Sequence, residues 1–96
     1  MKPIRKVNNR MKGAYGMTTL QSGKRPIIEI NKRAHAKLKN DKRFSKKEKT
    51  LLNTIVHEEI HAKHQRMYEK NVRRMAIKKT ASMSKVAKKK FYSRYA

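Results

Sequence analysis

Leu51-Leu52-Asn53-Thr54-Ile55-Val56-His57-Glu58-Glu59-Ile60-His61-Ala62-Lys63-His64 is the most strongly patterned stretch of this 96-residue sequence. Leu51, Leu52, Ile55, Val56 and Ile60 recur at helical spacing and gather on one side of a wheel, while His57, His61 and His64 gather about 160° away. The pattern predicts a helix with one face for a core and another that presents imidazoles. Just upstream, Ser45 and Glu48 form a Ser-x-x-Glu capping box, which puts the predicted start of the helix at Ser45.

Two histidines four residues apart on a helix stand one turn above the other, with Cβ atoms roughly 5 to 6 Å apart, so both imidazoles reach one tetrahedral ion. The chain has no cysteine. Thiolate zinc sites and disulfides are therefore excluded, and any metal must be held by His and carboxylate. His57 and His61 are the candidate zinc ligands. Glu58 lies at the flank of the same face, where its carboxylate would hold the attacking water and take its proton instead of binding the ion. For the third ligand two residues compete, with water or another residue as the remaining option. Glu69 is the only acid after the motif, and His64 shares the histidine face but lies about 10 Å along the axis from His57. Glu59 falls amid the apolar stripe and is expected to pair with Lys63, one turn on.

Toward the N-terminus, Ala14 to Gln21 and Pro26 to Asn31 read as two short strands around the Gly-containing turn Ser22-Gly23-Lys24-Arg25. Ile27-Ile28-Glu29-Ile30 is the better of the two, rich in β-branched residues and preceded by Pro26. Asn31 to Asp41 reads either as a short helix capped by Asn31 or as an ordered loop, with His35 an exposed side chain and not a ligand. Beyond the motif, a helix is expected from about Tyr68 to Lys79 with Val72, Met75 and Ala76 as its apolar stripe. A last helix, capped by Ser82 or Ser84, would run through Phe91 and Tyr95.

Lys and Arg number 28 against six acids, a formal charge of +22. All six acids lie from Glu29 to Glu69, while Lys70 to Ala96 carries ten basic residues and none acidic. Such clustering points to a polyanion partner, most commonly nucleic acid and less commonly an anionic membrane or an acidic protein; its other reading is a solvated face that keeps a small protein soluble. Lys85, Lys88, Lys89, Lys90 and Arg94 are the expected phosphate contacts. Phe91, Tyr92 and Tyr95 are placed for base stacking or, for Phe91 and Tyr95, for docking the last helix on the domain. No apolar run approaches the length of a membrane span, and no secretory leader is expected at the basic start of the chain. With 36% hydrophobic residues, a chain of this size has a thin core, which a bound metal would help to hold.

The order of a strand, Ile27 to Asn31, followed by the helix that carries His57-Glu58-Glu59-Ile60-His61, resembles the core of the small SprT-like and minigluzincin-type zinc metallopeptidases of phages and bacteria. The resemblance covers about Tyr15 to Lys79. It implies His57 and His61 as zinc ligands, Glu58 as general base, and a substrate-pairing role for the strand around Ile28 to Ile30. A metzincin would need Gly where His64 stands, whereas a gluzincin would take Glu69 from the next helix. In a gluzincin an Asp or similar residue often follows that Glu one turn later; here it is absent, since Arg73 stands in its place. The expected organisation is a basic leader over 1–13, a zincin-like metal-binding domain over 14–79 and a basic helical tail over 80–96. The fold class is α+β, a short hairpin or small antiparallel sheet packed on the HExxH helix. The expected function is a zinc-dependent peptidase acting on a protein or peptide at or near nucleic acid, in the cytoplasm, or in the virion if phage-encoded. The alternative is a nucleic-acid-binding or virion or ribosome-associated structural protein whose metal site only stabilises it.

Overall fold

A computed structural model describes residues 2–96 as an α+β domain with a small mixed sheet and four α-helices. The strands are β1 (Ile4–Val7), β2 (Gly16–Thr19) and β3 (Ile27–Ile30). The anticipated hairpin is present. β2 runs antiparallel to β3, with Gly16 opposite Ile30 and Thr19 opposite Ile27, and Gly23 supplies the positive φ, 68°, that the connecting turn needs. The sheet is nevertheless mixed and not antiparallel, because β1 pairs parallel to β3 from Ile4 opposite Ile27 to Val7 opposite Ile30. β3 is thus the central strand. β1 lies inside the stretch read as a basic leader. Four residues with two cations among them show too little alternation to be recognised before their partner is known.

The helices are α1 (His35–Leu38), α2 (Leu51–Lys63), α3 (Glu69–Ala81) and α4 (Lys85–Ser93), with a 3-10 turn at Lys46–Glu48. None is long and apolar enough to cross a membrane. The capping box forms, with the Ser45 N–H and Oγ donating to Glu48 Oε1 at 3.1 and 2.8 Å. It opens the 3-10 turn and not the long helix. α2 starts six residues later, capped by Thr50, whose Oγ1 accepts from the Asn53 N–H at 3.0 Å. Of the two candidate caps for the last helix, Ser84 serves, its Oγ accepting from the Ala87 N–H at 3.2 Å. α1 is a single turn. Asn31 Oδ1 accepts from the Ala34 N–H while Asn31 Nδ2 donates to the Met11 carbonyl. His35 is not an exposed side chain: half-buried, it bridges the Asn31 carbonyl and Thr54 Oγ1, and burial lowers its pKa.

Apolar side chains pack on two sides of α2, so the single apolar stripe was only part of its buried surface. Ile28 and Ile30 from the sheet meet Ile55, Ala62 and Tyr95. Leu52, Val56 and Ile60 meet Val72 and Ala76 from α3. Phe91 packs against both groups, and Tyr95 is 1% exposed. The aromatics of the terminal segment therefore dock it, and Tyr92 alone of the three is exposed.

Glu59 does not pair with Lys63. Its carboxylate accepts two hydrogen bonds from Arg5 at 2.8 and 2.9 Å, one from Arg94 at 2.9 Å and one from the Tyr95 hydroxyl. Burial pushes this carboxyl up, yet those donors hold it below the ordinary range. One side chain thereby joins β1, α2 and the chain end. A buried carboxylate, Glu48, accepts from Arg73 at 2.7 and 3.0 Å and ties the 3-10 turn to α3.

Arg73 and Ser45 lower the Glu48 carboxyl from 4.5 to about 2. A depressed carboxylate contributes stability that is complete above its unfolded pKa and disappears as pH falls through the folded one. Glu48→Gln should therefore cost about 2 kcal/mol at pH 7. In acid titrations followed by circular dichroism the deficit should shrink below about pH 4.5 and close near pH 2. A deficit that stayed constant across that window would show that the ion pair does not contribute.

Candidate metal centre

His57 and His61 lie one turn apart in the middle of α2, their ring centroids 4.9 Å apart. The helix ends at His64, which leaves helical geometry at φ −116° and ψ 69° while its N–H still donates to the Ile60 carbonyl. A short connection then starts α3 at Glu69. A carboxylate in the first turn of a helix is favoured by the macrodipole, and here it points back at the histidine pair. Glu69 Oε1 lies 2.8 Å from His57 Nε2, and Glu69 Oε2 lies 2.7 Å from His61 Nε2. One ligating atom from each of the three residues lies within 4.8 Å of the others. His64, exposed at the end of the helix, is not in this group. Between the two candidates for the third position, the fold brings Glu69 to the pair.

Glu58 is 9% exposed. Thr18 Oγ1 on β2 donates to Glu58 Oε1 at 2.7 Å and lies 3.1 Å from the Glu58 carbonyl oxygen. Burial pushes the Glu58 carboxyl above the ordinary range, against the pull of Thr18 and the two histidines. β2 must come close to α2 for this contact, and Gly16 is what permits it. A Cβ there would stand 2.9 Å from Glu58 Cγ and 3.0 Å from Thr54 Cγ2.

Beside these residues is a cleft of about 240 Å³, bordered by His57, Glu58 and Glu69 and walled by Tyr15, Gly16, Leu38 and Phe44. Asn53, one turn before His57, also borders it, and its buried Nδ2 has no hydrogen-bond partner. The strand that borders the cleft is β2. β3 is paired on both sides and has no free backbone edge for a substrate, so the role expected around Ile28 to Ile30 does not fit its place in the sheet.

The basic residues of the last segment are not all alike. Lys85, Lys88, Lys89 and Lys90 are exposed on α4. Arg94 instead donates to Glu59 and lies 4.5 Å from the centre of the Phe91 ring. None of the five borders the cleft.

Thr18, Gly16 and Asn53 were not picked out from the sequence. A glycine inside a strand pattern does signal close approach of another chain segment, which is the one available pointer to Gly16. No family model matches the chain, and no curated protein or solved structure shows significant similarity to it.

Gly16→Ala should force Glu58 aside or lift β2 off α2, lowering stability by about 1 to 3 kcal/mol. Thermal unfolding checks the cost. A substitution without effect would show that the close approach of β2 to Glu58 is not a constraint.

Proposed function

We propose that the chain is a zinc-dependent peptidase of the minimal zincin type, with His57, His61 and Glu69 holding the ion and Glu58 acting as general base. The observation that carries this reading is the convergence of two imidazole Nε2 atoms and one carboxylate within 4.8 Å, next to a carboxylate that borders the same cleft. Two His and one Glu without thiolate is a donor set characteristic of hydrolytic zinc sites. The fit is supported by Glu69, which spans both imidazoles with its two oxygens and, at 60% side-chain exposure, is free to adjust to an ion.

Lewis acidity, which polarises a scissile carbonyl and acidifies water, is what zinc would supply here. The chain supplies the rest. Glu58, oriented by Thr18 from β2, takes the proton of the attacking water and returns it to the leaving amine. β2 is an edge strand, and its unpaired side offers backbone groups to an extended peptide by strand addition. Tyr15, Leu38 and Phe44 give the cleft apolar walls that limit water beside the reacting bond.

The protein should bind one zinc per chain, and replacing His57 and His61 together by Ala should abolish binding and lower the Tm, because metal affinity is also folding free energy. Glu58→Gln should keep zinc and fold while hydrolysis of disordered protein substrates falls by roughly 10²- to 10⁴-fold. Glu69→Gln should weaken zinc retention. Elemental analysis and a cleavage assay on the same preparations check all three. Wild type and Glu58→Gln that both hold zinc and both leave every substrate intact would leave a stabilising metal site and not a catalytic one.

A further inference from the structure

Away from the metal centre, the distribution of charge is uneven in a specific way. Among the described residues every ion pair between a carboxylate and a permanent cation uses an arginine, Arg5, Arg43, Arg73 or Arg94, and none uses a lysine. The lysines are thus without carboxylate partners, and several converge. A groove of about 670 Å³ runs between the start of β1, the end of α2, α3 and α4. Lys2, Arg5, Lys63, Lys79 and Arg94 border it, against one acid, Glu59. That acid is already satisfied by Arg5, Arg94 and Tyr95. Lys2, Lys63 and Lys79 are exposed. The groove therefore presents several cations and no available anion.

We propose that this groove binds the phosphodiester backbone of nucleic acid, with Lys63 and Lys79 as its principal contacts. Charge complementarity selects the partner: a concave surface with this balance concentrates polyanion and repels cationic ligands. Recognition stops at the phosphate. Phe91 borders the groove, but Lys79 Nζ lies 5.6 Å and the Arg94 guanidinium 4.5 Å from its ring centre. The ring, partly buried, also packs against the core, so it is engaged by the core and by two cations. Phosphate contacts carry no sequence information, so a contact made by Lys63 and Lys79 is indifferent to sequence. This assigns the main contact to the groove and not to the lysine run of α4. It is independent of the peptidase reading.

The test is a titration of fluorescent oligonucleotides across salt concentrations with full-length protein, comparing Lys63→Gln/Lys79→Gln with Lys88→Gln/Lys89→Gln. Both doubles remove the same charge from exposed side chains. Each phosphate contact on a single strand adds roughly 0.7 to the slope of log affinity against log salt. The groove double should flatten the slope by roughly 1.4 and weaken binding at least roughly tenfold, while the α4 double should lose less than about threefold. Oligo-thymidine and oligo-adenosine should bind alike. Thermal melts and both single variants, each expected to show half the slope change, separate lost contact from lost fold. Equal losses in the two doubles, or no loss in either, would overturn the assignment. So would binding of phosphatidylserine vesicles through the groove by a protein that ignores nucleic acid. A tenfold preference between the oligonucleotides would overturn the phosphate-only contact.

Discussion

Six carboxylates organise a chain that carries 28 cations, and each one is engaged. Glu29 accepts from Asn8, Asp41 from Tyr15 and Arg43, Glu48 from Arg73, Glu58 from Thr18, Glu59 from Arg5, Arg94 and Tyr95, and Glu69 faces the histidine pair. A chain so far from neutral repels itself, so the few anions available act as junctions between elements. Glu59 is the most heavily used. Removing it would leave the partly buried Arg5 guanidinium and the buried Tyr95 hydroxyl unpaired, and breaking such a network costs more than its net formation contributes.

The sequence made the helix around the histidine motif legible because its apolar and histidine positions follow one period over several turns. The hairpin was legible from β-branched residues and a glycine turn. What escaped depends on partners distant in the chain. Arg5 and Tyr95 meet Glu59 across 54 and 36 residues, and no local rule links a cation in a basic leader, or an aromatic in a basic tail, to a glutamate in the middle of a helix. The local alternative, Lys63 one turn away, lost to this longer-range network. The capping box illustrates the same limit. Ser45 and Glu48 met as the motif requires, but the turn they open ends before α2 begins, since Thr50 restarts the backbone with a cap of its own.

At the candidate metal centre, spacing alone put His57 and His61 on one helix face with Glu58 beside them, while the approach of Glu69 was not legible. Helical rise separates His64 from His57, but only the turn after Lys63 and the direction of α3 decide whether Glu69 comes back. That direction is set by packing. Val72 and Ala76 are completely buried against Leu52, Val56 and Ile60, and Arg73 between them reaches Glu48 on the other side.

The placement of Glu69 is therefore a property of the whole of α3 and not of one residue. Glu69, Val72, Arg73 and Ala76 lie at intervals that share neighbouring faces of a helix, so the apolar contacts fix the helix on α2, the arginine sets its rotation, and the carboxylate arrives at the imidazoles as a consequence. Arg73 makes no hydrogen bond to Glu69; through its pair with Glu48 it anchors the backbone that carries Glu69. The domain can thus bring a carboxylate to the histidine pair without a glycine to break α2, because the connection from His64 to Tyr68 makes the turn and the two buried residues of α3 hold that helix against α2.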